Sequence, residues 1–189
     1  MPRGNKQGTR LRTYVALLRG INLGARNRVA MADLRELFAS LECQDVSTYV
    51  QSGNVIFKSS VAGPPELSQT IEKRIRRELS LSVTVLVRTK EQLAKVVARN
   101  PFAADESDLT KLHVTFLAHL PDRVRVRELE AVQFEPDEFR IAGQEIYLHC
   151  PNGYGRTKLS NAYFEKHLGV VATTRNWMTV TTLAELASA

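Results

Sequence analysis

Short apolar runs alternate along the chain with longer segments in which apolar residues recur every three or four positions. An unbroken apolar run favours a buried strand, and the longer period favours a helix with one apolar face. The first part of the sequence follows this alternation. It predicts a strand (TYVALL), a helix (MADLRELFASLE), a hairpin (DVSTYVQSGNVIFKS), a basic helix (IEKRIRREL), a strand (SVTVLVR) and a helix (EQLAKVVA).

The second part repeats this order, which is the main evidence for the architecture. It predicts a strand (KLHVTFLAHL), a helix (VRVRELEAV), a hairpin (EFRIAGQEIYLHC), a helix (KLSNAYFEKHLG), a strand (VATTRNW) and a last helix (VTTLAELA). The order β-α-β-β-α-β is that of the split β-α-β, or ferredoxin-like, arrangement, with two helices on one face of an antiparallel sheet. We therefore predict an α+β protein of two tandem ferredoxin-like halves, each followed by an extra helix.

Composition places the boundaries of these halves. We predict a mobile basic tail at residues 1–12, an N-terminal half at 13–100, a linker at 101–110 and a C-terminal half at 111–189. The tail supplies four of the positive charges behind the net charge of +6, so the folded part is close to neutral. A nucleic-acid partner is therefore compatible with the sequence but not favoured.

The sequence also bears on the compartment. No apolar run approaches the roughly 20 residues that span a bilayer, and the first residues lack the apolar core of a secretory signal. Cys43 and Cys150 lie far apart without a CxxC partner, so neither a disulfide nor a zinc site is predicted. We expect no membrane association and a cytoplasmic location.

The first candidate site is "LLRGINLGARNRVAMADLRELF", where an apolar strand gives way to glycines, arginines and asparagines before a helix. Arg19, Asn22 and Asn27 would place a cation and two amides near a helix N-terminus, where free backbone N–H groups favour an anion. The structural alternative is that the asparagines satisfy the backbone of their own loop and the arginines are solvated. The sequence leaves both interpretations open.

The second candidate site is "PNGYGRTKLS", a glycine loop that precedes a predicted helix. Its candidate ligand-binding residues are Gly153, Gly155, Arg156, Thr157 and Lys158. Two cations and a hydroxyl suited to capping the helix would suit a phosphate or a carboxylate. The G-x-x-x-x-G-K-[ST] order is absent, so this is not a Walker A loop. The alternative is a strand-to-helix turn capped by Thr157, with surface charges beside it.

Strand direction decides which of these loops could meet. We expect the first and third strands of each half to run parallel, which would put the Arg19–Arg28 loop and the Ser52–Asn54 turn on opposite edges of the sheet. The same expectation puts PNGYGRTK on the same edge as Leu120–Arg123. If a pseudo-twofold axis relates the halves, the two glycine loops would face a common cleft between them.

Arg175, Asn176 and Trp177 end the last predicted strand and are candidates for lining that cleft. A single tryptophan is more typical of packing in a core or between domains. The spacing of His, Cys, Asp and Glu resembles no metal site, and we predict neither a metal nor a cofactor. No nucleophile elbow or catalytic triad is recognisable, so no catalytic residue is assigned and the question of an enzyme is left open.

Several segments, in this order, resemble the uncharacterised bacterial family known as domain of unknown function 1697. They are LLRGINLG with MADLRELF, YVQSGNVIF, NPF, PNGYGRTKL and ATTRNWMTV. The resemblance covers nearly everything after Arg12. It implies a two-part α+β protein with ferredoxin-like halves and no established activity. Thr157 departs from the family's usual Ser before the Lys, a change that keeps the hydroxyl.

Three functions fit the sequence. The first is a protein or enzyme that binds a small anionic ligand through the two glycine loops, and we place it ahead because one mechanism explains both loops. The second is a nucleic-acid-binding module, since ferredoxin-like sheets can present aromatic residues to bases. The third is an interaction protein, for example a dimer formed through a sheet face or edge.

Overall fold

The computed structural model of the protein describes residues 11–22, 27–61 and 63–189. Residues 1–10 of the predicted tail lie outside this part, and Arg12 already begins the first strand. The elements of the N-terminal half are β1 (Arg12–Leu18), α1 (Met31–Ala39), β2 (Gln44–Tyr49), β3 (Asn54–Ser59), α2 (Pro64–Leu79), β4 (Val85–Thr89) and α3 (Lys90–Ala98).

The C-terminal half repeats this order. Its elements are β5 (Leu112–Leu117), α4 (Arg123–Glu130), β6 (Glu138–Ala142), β7 (Glu145–His149), α5 (Asn161–Leu168), β8 (Ala172–Asn176) and α6 (Trp177–Ser188). Two short 3₁₀ turns lie between them, at Leu109–Lys111 and Tyr154–Arg156.

Each half forms one four-stranded antiparallel sheet, with the strand orders β2-β3-β1-β4 and β6-β7-β5-β8. This is the ferredoxin-like order, so the predicted α+β fold is confirmed. A capping box begins α3, because the Thr89 side chain accepts from Gln92 N–H and the Gln92 side chain accepts from Thr89 N–H.

Three apolar cores hold the layers together. One core lies between the first sheet and α1 and α2, and another lies between the second sheet and α4 and α5. The middle core, defined here as the cluster that includes Val15, Leu93, Phe116, Trp177 and Leu183, joins the opposite faces of both sheets to α3 and α6. The extra helices therefore belong to an interface that both halves share.

Reciprocal contacts relate the two halves by a pseudo-twofold axis, since Arg88 Nη2 donates to Leu117 O and Arg175 Nη2 donates to Leu18 O. Hydrogen bonds within each half show which residues correspond. Leu18 N–H donates to Gly53 O at 2.8 Å, and Leu117 N–H donates to Gln144 O at 2.8 Å. Leu18 and Leu117 are thus equivalent, as are the residues that follow them, Arg19 and Ala118.

The expected strand direction was wrong. β1 pairs with β3 in antiparallel register, with Leu17 opposite Asn54, and β5 pairs with β7 in the same way. The crossover through α1 makes β1 parallel to β2, and the hairpin then reverses β3. The end of β1 therefore lies beside the turn before β3, so the Arg19 loop and the Ser52–Asn54 turn share one edge of the sheet.

Candidate functional site

The glycine loop after β7 forms one wall of a groove of about 640 Å³. Asn152, Arg156 and Lys158 lie on this wall, and residues 132–137, which connect α4 to β6, form the other. We call this space the glycine-loop groove. It lies at the end of the sheet where β7 finishes and β6 begins.

Local sequence explains the shape of the loop. Gly153 has a φ of +86°, a conformation that favours glycine, and its N–H donates to Cys150 O at 2.9 Å. The chain then makes the 3₁₀ turn Tyr154–Arg156. A Cβ at Gly153 or Gly155 would meet no other heavy atom within 4 Å, so space beside this backbone is open.

A hydrogen bond of Thr157 links the glycine loop to the opposite wall. Its hydroxyl donates to Asp137 Oδ2 at 2.6 Å and accepts from Leu159 N–H at 3.0 Å. The expected role of Thr157 as a helix cap was wrong, since α5 begins at Asn161 and Ser160 is its N-cap. The helix that was expected at the glycine loop therefore begins four residues beyond Thr157.

The charges of the groove are divided between its walls. Arg156 and Lys158 are exposed, and neither has an acidic partner within 4.0 Å among the described residues. Glu135 and Asp137 line the opposite wall, where Asp137 already accepts the Thr157 hydroxyl. A ligand with an anionic group and a hydrogen-bond donor would complement both walls.

The titratable groups behind the loop are held in their neutral forms. Burial, and to a lesser extent the charge of Asp137, raises the pKa of Cys150 to about 11. Burial also raises the pKa of Tyr154 and lowers the pKa of His113, whose ring stacks on that of Tyr154 with centroids 4.7 Å apart. A protonated thiol and a neutral imidazole suit a packed support better than a nucleophile.

Arg19 is engaged across the two halves. Its Nε donates to Glu165 Oε1 at 2.8 Å and to Ala172 O at 3.0 Å, and its Nη2 donates to Glu165 Oε2 at 2.7 Å. The carboxylate of Glu165 thus occupies the place that a bound anion would take. Sequence reasoning missed Glu165, which carries no local signal for a partner 146 positions away.

Asn22 and Asn27 have positive φ values of 54° and 52°. The Asn22 side chain donates to Val29 O and Gln51 O and accepts from Val29 N–H, and the Asn27 side chain donates to Gly20 O. Both amides therefore bind the backbone around their own loop, as the structural alternative predicted. Residues 23–26 of this loop lie outside the described residues.

Arg19 and the glycine loop after β7 lie at opposite ends of the second sheet. Arg19 contacts Ala172, which pairs with Leu117 at the end of β5. The loop after β7 instead begins beside the start of β5, where Cys150 N–H donates to Lys111 O, and not beside Leu120–Arg123 as expected. Six strand residues span about 20 Å, so we place the candidate site in the glycine-loop groove alone.

Of the three residues proposed as cleft lining, Arg175 and Trp177 lie at the junction of the halves. Arg175 is 8% exposed and donates to five oxygen atoms, which belong to Asn54, Thr173, Thr174, Leu18 and Ser52. Asn176 caps α6 by accepting from Thr179 N–H at 2.8 Å.

Trp177 is the first residue of α6, not the end of a strand, and is 4% exposed in the middle core. This burial agrees with the packing role that is typical of a single tryptophan. The structure therefore gives each of the three residues an internal hydrogen-bond partner or a place in the core.

The described residues lack two features that would indicate a functional class. No group of three or more His, Cys, Asp or Glu residues in this part of the chain is arranged to hold a metal ion. Within the same residues, no helix has the length and apolarity needed to cross a bilayer.

Comparisons with known proteins agree with the fold. The chain is similar to the solved structure of the conserved bacterial protein SP0830 from Streptococcus pneumoniae, with a TM-score of 0.74 and 22% sequence identity, over 94% of this chain and 99% of that one. No curated protein matches its sequence. The model of a family described as protein of unknown function (DUF1697) matches residues 11–147. Because this match covers most of the chain, the protein belongs to the DUF1697 family.

Proposed function

We propose that the protein binds a small ligand bearing a phosphate or a carboxylate in the glycine-loop groove. The observation that carries the proposal is the pair Arg156 and Lys158, two exposed cations on one wall of a groove of about 640 Å³. This volume is in the range of small-molecule sites. Among the described residues both cations lack an acidic partner, so an anion would not have to displace one.

The rest of the groove defines the ligand further. Open space beside Gly153 and Gly155 lets a ligand approach the backbone, and Asn152 adds an amide. Glu135 on the opposite wall favours a ligand that also carries hydroxyl or amino donors. A phosphorylated or carboxylated metabolite with such donors satisfies these conditions. The groups behind the loop are buried and neutral, which favours a binding role over nucleophilic catalysis. We therefore assign no catalytic residue.

A nucleic-acid ligand is the second candidate, and the basic face of α2 favours it. Lys73, Arg74 and Arg77 line a shallow depression on that helix. Glu78 lies 2.8 Å from Arg74 and 3.3 Å from Arg77, so part of this charge is neutralised. We expect such binding to be weak and to depend strongly on salt. A cytoplasmic location stays a prediction, in keeping with two free, buried cysteines.

The test is a thermal-shift panel of inorganic phosphate, phosphorylated metabolites, nucleotides, organic acids and short single-stranded oligonucleotides, at low and moderate salt. A ligand at about 100 times its Kd should add roughly 2.7 kcal/mol to the free energy of unfolding. The key variant is Arg156→Ala with Lys158→Ala. The matched control is Arg123→Ala, which removes another exposed cation of the same half.

A small anion that stabilises the wild type and the control, but not the double variant, supports the proposal. An equal shift in all three proteins would place the ligand elsewhere. No shift with any small anion, together with a shift by oligonucleotides at low salt only, would replace the proposal by the nucleic-acid alternative.

A further inference from the structure

The pseudo-twofold axis relates the pair of Arg19 and Glu165 to a second location on the molecule. In the C-terminal half, Glu165 Oε1 accepts from the backbone N–H of Ala172, the first residue of β8, at 2.9 Å. In the N-terminal half, Glu72 Oε1 accepts from the backbone N–H of Val85, the first residue of β4, at 2.8 Å. Glu72 and Glu165 therefore hold equivalent positions beside equivalent edge strands.

The arginine has no counterpart. Arg19 N–H donates to Thr84 O and Ala118 N–H donates to Val171 O, both at 2.9 Å, so Ala118 stands where the symmetry requires Arg19. A methyl group cannot reach a carboxylate. Among the described residues, the Glu72 carboxylate has a single hydrogen-bond donor, the Val85 N–H.

A groove of about 320 Å³ lies at this position, and Glu72, Val85, Ala118 and Gln144 line it. We call it the β4-edge groove. The carbonyl of Thr84 faces β1, so the next carbonyl along the strand, that of Val85, faces away from β1 and toward this edge. In the C-terminal half, the equivalent carbonyl of Ala172 accepts from Arg19. The groove thus keeps the carboxylate and the carbonyl that hold a guanidinium in the other half.

Arg88 also lines the β4-edge groove, and its charge would oppose a bound cation. Arg88 is paired with Glu145, with 3.0 Å between Nε and Oε1. The charge of Arg88 is therefore balanced by Glu145. Among the described residues of the groove, the Glu72 carboxylate remains as the unpaired charge that a ligand could bind.

We propose that the β4-edge groove binds a small molecule bearing a guanidinium group, which takes the place that Arg19 takes beside Glu165. The planar fork of a guanidinium matches two carboxylate oxygens and an adjacent carbonyl, whereas an ammonium presents a point charge. This site is separate from the glycine-loop groove and has the opposite charge preference. An experiment that contradicts one proposal therefore leaves the other unaffected.

The test is calorimetric titration of the full chain with agmatine, which carries a guanidinium and an ammonium, with 1,4-diaminobutane as a ligand that has the same two charges but no guanidinium fork. Glu72→Gln keeps an oxygen for the Val85 N–H and removes the charge, and should weaken agmatine binding about tenfold or more. Ala118→Arg supplies the missing arginine from the chain itself. It should abolish agmatine binding and raise the melting temperature. Glu66→Gln removes an exposed carboxylate from the same helix and should leave binding unchanged.

Agmatine binding that 1,4-diaminobutane does not match, and that fails in Glu72→Gln and Ala118→Arg, supports the site. The absence of agmatine binding at millimolar concentration would overturn the proposal. Equal affinity of the wild type and Ala118→Arg would also overturn it, because the ligand would then lie elsewhere.

Discussion

Arg88 and Arg175 occupy equivalent positions on the last strands of the two halves, and each reaches across the molecular junction to an equivalent carbonyl. Arg88 Nη2 donates to Leu117 O at 2.8 Å, and Arg175 Nη2 donates to Leu18 O at 2.9 Å. Their other partners differ in charge. Arg88 Nε donates to the carboxylate of Glu145 at 3.0 Å, whereas Arg175 Nε donates to the amide oxygen of Asn54 at 2.6 Å.

Because of this difference, replacing Arg175 should cost more stability than replacing Arg88. Burial lowers its pKa to about 10, because neutral oxygen atoms alone compensate its charge among the described residues. We expect Arg175→Lys to lower the free energy of unfolding by about 2–4 kcal/mol, since an ammonium cannot serve five acceptors in a plane. Arg88→Lys keeps a cation beside Glu145 and should cost less. Urea denaturation measures both, and equal losses would contradict this account.

Alkaline pH should destabilise the protein through its buried thiols. The pKa of Cys150 is raised by burial from 9.0 to about 11, so the unfolded thiol ionises at a pH where the folded thiol is still protonated. The unfolded state then binds fewer protons, and the free energy of unfolding falls as the pH rises from about 9 to about 11.

The slope of stability against pH between pH 8 and 10 is the measurement, obtained from urea curves. Cys150→Ala should show a shallower slope than the wild type, because one thiol that ionises in the unfolded state is gone. An unchanged slope would mean that Cys150 is accessible to ionisation in the folded protein.

Gly53 should tolerate no side chain. Its φ is +76°, and a Cβ there would lie 2.8 Å from the Ile21 side chain and 2.9 Å from Leu18 Cβ. Gly143 has a similar φ of +68° but open space around it. We expect Gly143→Ala to cost about 1 kcal/mol from backbone strain, and Gly53→Ala to cost at least about 2 kcal/mol because overpacking adds to that strain. Thermal or urea unfolding of the two variants makes the comparison, and equal losses would exclude the steric contribution.

The pair of Arg19 and Glu165 should be coupled in stability. Both side chains are partly exposed, at 36% and 24%, so we expect a coupling energy of about 1 kcal/mol from a double-mutant cycle of Arg19→Met and Glu165→Gln in urea. Lys58 and Asp45 form a more exposed pair at 2.7 Å and serve as the control. Their coupling should be smaller, and a reversed ranking would contradict the stabilising role of the Arg19 contact.

Local patterns in the sequence predict the elements well. The apolar period places the helices and strands, and Thr89 and Gln92 form the capping box that their spacing of three residues favours. The repeated element order predicts two ferredoxin-like sheets. Each of these inferences uses neighbours within a few positions, where side-chain period and capping are decisive.

Long-range pairing limits what the sequence can predict about the site. Arg156 and Lys158 do lie on a groove, but its other wall comes from residues 132–137, which no local pattern connects to the glycine loop. The charge of Arg19 suggested an anion site, yet the fold brings Glu165 to it across the two halves. Arg175 was likewise a candidate for lining a cleft, but oxygen atoms of the first half accept its hydrogen bonds and it is buried.

Both halves build the middle core, and each contributes one face of its sheet and one extra helix. Two similar halves that bury the same face against each other around a twofold axis reproduce the geometry of a symmetric homodimer. Joining two copies in one polypeptide releases each copy from the requirement of self-complementarity. One half can then acquire Arg19 opposite Glu165 while the other keeps Ala118 opposite Glu72. Fusion thus allows one position to form an ion pair in one half and to take a different role in the other.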